Sequence, residues 1–86
     1  MRVLIPSPLR SYTAGRTEVT GSGATLAELL ADLNAAYPGM RFRMIDEQDG
    51  IRQHIRFFVN QELVRELGHP LADDDEVQII CALSGG

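Results

Sequence analysis

Few side chains in this sequence of 86 residues could do covalent or metal chemistry, and they do not form a set. The one cysteine, Cys81, excludes an internal disulfide and any multi-cysteine metal site. His54 and His69 lie far apart and in no ligand spacing. The run Asp73 to Asp75 lacks the spaced oxygen ligands of a calcium loop and reads as a solvated turn before a strand. No nucleophile–base pair is apparent. What remains is the carboxyl end, Ser84-Gly85-Gly86. Without Cβ atoms, Gly85 and Gly86 can thread a narrow channel in a partner, and Ala82 to Gly86 reach roughly 16 Å when extended. A frayed terminus is the ordinary fate of chain ends, so position alone leaves two readings open: a presented carboxylate, or a loose end.

The composition narrows the field. A net charge of -4 disfavours nucleic acid as a partner, because nonspecific affinity for phosphates rests on clustered cations. There is no lysine, and every basic side chain is arginine. Apolar content of 44% and charged content of 23% are those of an ordinary globular chain. No run approaches the ~20 apolar residues that span a bilayer, and no signal-peptide core opens the chain. The expectation is one cytoplasmic domain over residues 1–86, with a flexible tail from about residue 83 and neither membrane nor nucleic acid as partner. A domain this small buries about 60–65% of its unfolded surface, which leaves little room for a deep catalytic cleft.

The elements that position the tail follow from periodicity. Arg2 to Ile5 and Thr17 to Thr20 are β-prone and form a predicted hairpin, with turn-forming residues at Ser11 to Gly15. Leu26, Leu29, Leu30, Leu33 and Tyr37 make one apolar stripe, so a helix is predicted over 25–37. Thr25 and Glu28 fit a reciprocal capping box, Pro38-Gly39 stops the helix, and Asp32 and Asn34 fall on its wet face. Residues 40–53 show no clean period and predict an irregular connection with one helical turn. Ile55 to Asn60 is a strand with Ile55, Phe57 and Val59 on one face. A turn at Asn60-Gln61 leads to a short strand at Leu63-Val64, and Val77 to Leu83 is the last strand. In that strand Cys81 is in phase with Val77 and Ile79, which makes it a small core hydrophobe rather than a persulfide site. The order, ββαβ(β)β, gives a two-layer α+β domain and excludes a doubly wound sheet.

With the tail in place, the whole chain resembles the prokaryotic ubiquitin-like sulfur carriers. This family includes the molybdopterin synthase small subunit, the thiamine sulfur carrier and a carrier for cysteine synthesis. The resemblance is carried by Phe58-Val-Asn-Gln61, Leu63-Val64, His69-Pro-Leu71, Asp75-Glu-Val77 and Ser84-Gly-Gly86. His69 to Val77 is similar to molybdopterin synthase small subunits. Leu9-Arg10, Tyr37 to Arg43 and Gly50 to Asn60 are similar to the cysteine-synthesis carriers. Cys81-Ala82 stands where the molybdopterin subfamily commonly has a Pro-Pro pair.

The resemblance implies a β-grasp fold, with a mixed sheet packed on one main helix. It also implies that the Gly86 carboxylate is joined to AMP by an E1-like adenylyltransferase and converted to a thiocarboxylate. That group would supply sulfur to a cysteine-synthase-like enzyme or a molybdopterin synthase large subunit. On this reading the protein is a cosubstrate and not an enzyme, with no metal or permanently bound cofactor, ATP being used by the activating enzyme. By the same resemblance, Leu63 and Ile80 contact the E1-like enzyme. Alternation places Ile80 and Phe58 on the sheet face away from the helix, so Leu63, Ile80 and Phe58 are the expected docking patch. Two other functions stay open. A protein modifier would join Gly86 to lysines of other proteins, and a plain binding module would not need Gly86 at all.

Overall fold

A computed structural model describes residues 1–82. The expected extension of the last strand to Leu83 and the Gly85-Gly86 tail lie outside the described residues. Five strands form one sheet: β1 (Arg2–Leu4), β2 (Glu18–Thr20), β3 (Ile55–Val59), β4 (Glu62–Val64) and β5 (Glu76–Cys81), in the order β2-β1-β5-β3-β4. β1 and β5 pair in parallel, and every other neighbouring pair is antiparallel. The sheet is mixed, as expected, and the last strand lies at its centre.

One face of this sheet is covered by α1 (Leu26–Ala36). An isolated helix of this length is marginal in water. Its stability comes from Leu26, Leu29, Leu30 and Leu33, all buried with Val3, Ile55, Phe57, Val77 and Ile79 in one core. Their burial is worth roughly 6–12 kcal/mol against the unfolded chain.

The start of α1 departs from a simple capping box. The Thr25 hydroxyl accepts from the Glu28 amide at 3.3 Å, as predicted. The Glu28 carboxylate, however, reaches one residue further out and accepts from the Ala24 amide at 3.2 Å. Two more of the orphan amides at the helix start are met from a distant loop. The amide of Leu26 donates to the His69 carbonyl (3.0 Å) and that of Ala27 to the Leu67 carbonyl (2.8 Å), while the Leu71 amide donates back to the Ala24 carbonyl (2.9 Å). The His69-Pro-Leu71 motif is thus a backbone clasp on the helix.

Two further segments are more ordered than their sequence suggests. Ser7–Thr13 is a 3-10 helix, with Pro8 tolerated in its first turn and Thr13 buried within reach of the Arg10 and Arg16 carbonyls. After α1, the expected single turn is α2 (Met40–Met44). Asn34, expected on a wet face, starts it by accepting from the amides of Gly39 and Arg41, both at 3.1 Å. Met40 and Met44 enter the core, and Phe42 between them is turned outward.

The β3–β4 turn is made by Asn60 and Gln61, at φ 49° and 73°, a two-residue hairpin with positive φ at both positions. Asn60 also ties this turn to the strand next door. Its Nδ2 donates to Asp75 Oδ1 (2.8 Å), and its Oδ1 accepts from the Glu76 amide (3.0 Å). The other Asp75 oxygen accepts from the Ala72 amide (2.8 Å).

The Ala72 amide first, and the Asn60 side chain second, hold the Asp75 carboxyl below its ordinary value of 3.8. A depressed carboxyl stabilises the fold above its unfolded value, and that contribution disappears as pH falls through the lower folded value. Urea midpoints should therefore drop below about pH 4, and drop less in Asp75→Asn than in the parent. Packing gives a second expectation. A Cβ on Gly23 would lie 2.5 Å from the Leu29 backbone nitrogen, so Gly23→Ala should cost about 2–3 kcal/mol in the same denaturation experiment.

Candidate functional site

The path to the carboxyl end starts on a rigid support. β5 is hydrogen-bonded on both edges, and the last described residue, Ala82, is held by its amide donating to the His54 carbonyl at 2.7 Å. Of the predicted site residues, Gly85 and Gly86 lie outside the described residues. Phe58, Leu63 and Ile80 are brought together on the sheet face away from α1.

Phe58 is the direct cross-strand partner of both Leu63 on β4 and Gln78 on β5. Directly opposed side chains on one face have Cβ atoms about 4.5–5.5 Å apart. Ile80 faces Arg56, one diagonal step from Phe58. Phe58 and Ile80 are half-buried, while Leu63 is 40% exposed. Leu4 extends the row: it lies opposite Gln78 in the parallel register and is likewise half-buried. The sequence reading missed Leu4, because its place depends on the pairing of the first and last strands. It missed Phe42 also. At 54% exposure this is the more exposed of the two large exposed apolar side chains among the described residues, and the Arg52 guanidinium lies over its ring at 4.6 Å. The i, i+4 spacing of Met40 and Met44 was the available signal, since it leaves residue 42 off the buried side.

Cys81 needs a correction. It is in phase with Val77 and Ile79 and packs against the core, but it is only half-buried. It pairs with Ile55 at the end of β5. There it lines a depression of about 420 Å³ with Arg43, Arg52 and His54. Loss of solvent pushes its thiol pKa up, and the Arg43 charge opposes this more weakly. A raised pKa leaves little thiolate near neutrality, which is the reverse of what an attacking or persulfide-bearing cysteine needs. Among the described residues no His, Cys, Asp and Glu side chains gather as a metal site, and no helix is long and apolar enough to cross a membrane.

A mixed five-stranded sheet clasping one main helix, with a central last strand leading to a Gly-Gly end, defines the ubiquitin-like β-grasp class. Within that class the chain belongs to the ThiS family, whose model matches residues 3–86. It is similar to the sulfur carrier protein CysO of Mycobacterium tuberculosis, with 38% identity over 89 aligned positions, 98% of this chain and 96% of the relative. It is also similar to the molybdopterin synthase sulfur carrier subunit of Chlamydomonas reinhardtii, 40% identical over 77 positions, 85% of this chain and 83% of the relative. The structure superposes on a chain of the crystal structure of the Amycolatopsis orientalis BexX/CysO complex with a TM-score of 0.92, at 33% identity and over 99% of this chain and 98% of that one. The expected fold and the sulfur-carrier family are both borne out.

The Cys81 environment gives a direct expectation. Its alkylation by iodoacetamide at pH 8 should be several-fold slower than that of a free small thiol, as followed by peptide mass. A rate equal to or above the free thiol would show an activated cysteine.

Proposed function

We propose that this protein carries sulfur as a thiocarboxylate on the Gly86 carboxyl group. The observation that supports this most directly is the family match, which runs through the whole domain and into the Gly-Gly end. The chemistry requires activation, since a free carboxylate is a poor acyl donor. An E1-like adenylyltransferase would join the Gly86 carboxylate to the α-phosphate of ATP, releasing pyrophosphate. A sulfide nucleophile then attacks the acyl carbon and expels AMP, leaving sulfur in place of one carboxylate oxygen. ATP is consumed by the activating enzyme, and the carrier supplies neither general base nor oxyanion hole. It is a cosubstrate.

Two acceptor lines are consistent with the relatives: cysteine synthesis, and molybdopterin synthesis. The longer match, to a CysO protein, favours the cysteine line, and so does Cys81-Ala82, where the molybdopterin subfamily commonly has a proline pair. The proposed partners are therefore the adenylyltransferase and a cysteine-synthase-like acceptor, with a molybdopterin synthase large subunit as the other candidate. Cytoplasmic location accords with this chemistry, because ATP and the activating enzyme must both be at hand.

Docking falls to the outer sheet face in this proposal. Leu63, Phe58 and Ile80, extended by Leu4, would pack against the activating enzyme while the tail enters its site. Apolar groups at such a surface carry energy when a partner desolvates them.

Incubation with ATP, the adenylyltransferase and sulfide, followed by mass analysis of the C-terminal peptide, should place sulfur on Gly86. Intact mass is insufficient, because replacing oxygen by sulfur adds nearly the same mass as oxidising a methionine. An unmodified tail under conditions that convert an established carrier would overturn the proposal. The variant Leu63→Asp/Ile80→Asp should lower the efficiency of this conversion by about tenfold or more. Its thermal midpoint should fall only modestly, since neither side chain belongs to the buried core.

A further inference from the structure

Beside the apolar docking face lies a second feature that the sulfur-carrier chemistry does not use. Two depressions share Arg52 in their walls: one of about 420 Å³, which includes Cys81 and Ala82 at the end of β5, and one of about 370 Å³ along the start of β3 and the end of β4. Together they are lined by Arg43, Arg52, Arg56 and Arg65, half of the arginines in the chain, with His54 between them. None of the twelve Asp and Glu side chains lines either one. On a protein of net charge -4, this is a local reversal of sign.

Two of the four, Arg52 and Arg56, are held without being neutralised. Arg52 Nε donates to the Phe42 carbonyl at 2.7 Å, and its guanidinium stacks on the Phe42 ring. Arg56 Nη1 donates to the carbonyls of Gln53 (2.6 Å) and Ile55 (3.0 Å). Among the described residues none of the four makes an ion pair, whereas Arg2 and Arg41 do. Asp46 senses the Arg52 charge, but its Oδ1 is occupied by the amides of Gln48 and Gly50. Carbonyl acceptors and ring stacking thus fix Arg52 and Arg56 in place and leave their positive charge outstanding. Part of the ordering entropy of a charged interface is already spent in the free protein.

We infer that this basic band is a docking rim for an acidic protein surface, gripping the partner around the point where the carboxyl end leaves the sheet. The partner's identity as an enzyme that handles the tail rests on the sulfur-carrier reading; the rim itself does not. A protein surface fits better than a phosphate. The four cations are spread over two depressions rather than converging on one point, and apolar side chains interleave with them. One of these, Leu63, belongs also to the outer-face patch, so the apolar and basic surfaces are continuous. Such a rim steers association and fixes orientation more than it adds affinity, and it weakens with salt.

The direct test is a titration of the isotope-labelled full chain with a hexaglutamate peptide at low salt, followed by backbone amide and arginine Nε–H resonances. Shifts should be confined to residues 42–43, 52–56 and 63–65 and vanish at 0.5 M NaCl. Arg43→Glu/Arg65→Glu changes two exposed arginines, so its spectrum should stay folded while peptide affinity falls about tenfold or more. Arg43→Gln/Arg65→Gln should lie between, and serves if charge reversal harms folding. Shifts scattered over the surface, or unchanged by charge reversal, would overturn the rim. Tighter binding of inorganic pyrophosphate than of the peptide would do so in favour of a phosphate site. Concentration-dependent self-association abolished by the same substitutions would do so in favour of a second copy of this chain. A wild-type tail left without sulfur by the adenylyltransferase would remove the carrier reading alone, and the peptide titration would still decide the rim.

Discussion

The parallel pairing of β1 with β5 is the constraint on which the rest of this structure depends. Arg2, Val3 and Leu4 stand against Glu76, Val77 and Gln78, so the first and last strands of the chain are neighbours running the same way. Parallel neighbours cannot be joined by a tight turn. The chain between them must therefore make a long connection, in which β2, β3 and β4 join the same sheet and α1 covers one face of it. This leaves one face apolar and covered, and the other open to a partner. It also puts the last strand at the centre of the sheet, where both of its edges are bonded. In the proposed function this arrangement gives the carboxyl end a stiff base.

Most of the family motifs serve that closure. The His69 and Leu67 carbonyls meet amides at the start of α1, and Asn60 and Asp75 lock the β3–β4 turn to the entry of β5. Even Phe58 and Leu63, which form the proposed docking surface, owe their proximity to the hairpin that Asn60 and Gln61 turn. In the proposed mechanism only the terminal glycines meet the reacting sulfur. In that proposal the domain's part is to present the carboxyl end and to offer surfaces by which partners recognise it.

The uneven distribution of charge matters for the same reason. A domain with an acidic total still gathers arginines beside the end of β5, and holds two of them by backbone carbonyls rather than by carboxylates. Surface ion pairs such as Arg2 with Glu18 and Glu76 contribute little to stability. Arginines left unpaired cost the fold correspondingly little, and their charge stays available for recognition.

Local signals determined the elements. The leucine stripe gave α1, the alternation of Ile55, Phe57 and Val59 gave β3, and Asn60-Gln61 gave the turn after it, because each depends only on neighbours along the chain. The outward direction of Phe58 and Ile80 was legible too, since side chains alternate along any strand. The tertiary structure decided what depends on partners distant in sequence. Leu4 joins the outer face only through the register of β1 on β5, and Cys81 is half-buried beside a depression walled by segments distant in sequence. Asn34 caps α2, and Glu28 caps Ala24, because the fold brings free amides to them. The basic band gathers Arg43, Arg52, Arg56 and Arg65 from separate segments, and no periodicity along one segment can report that they lie near one another. Periodicity records which way a side chain points, and only packing settles what it meets.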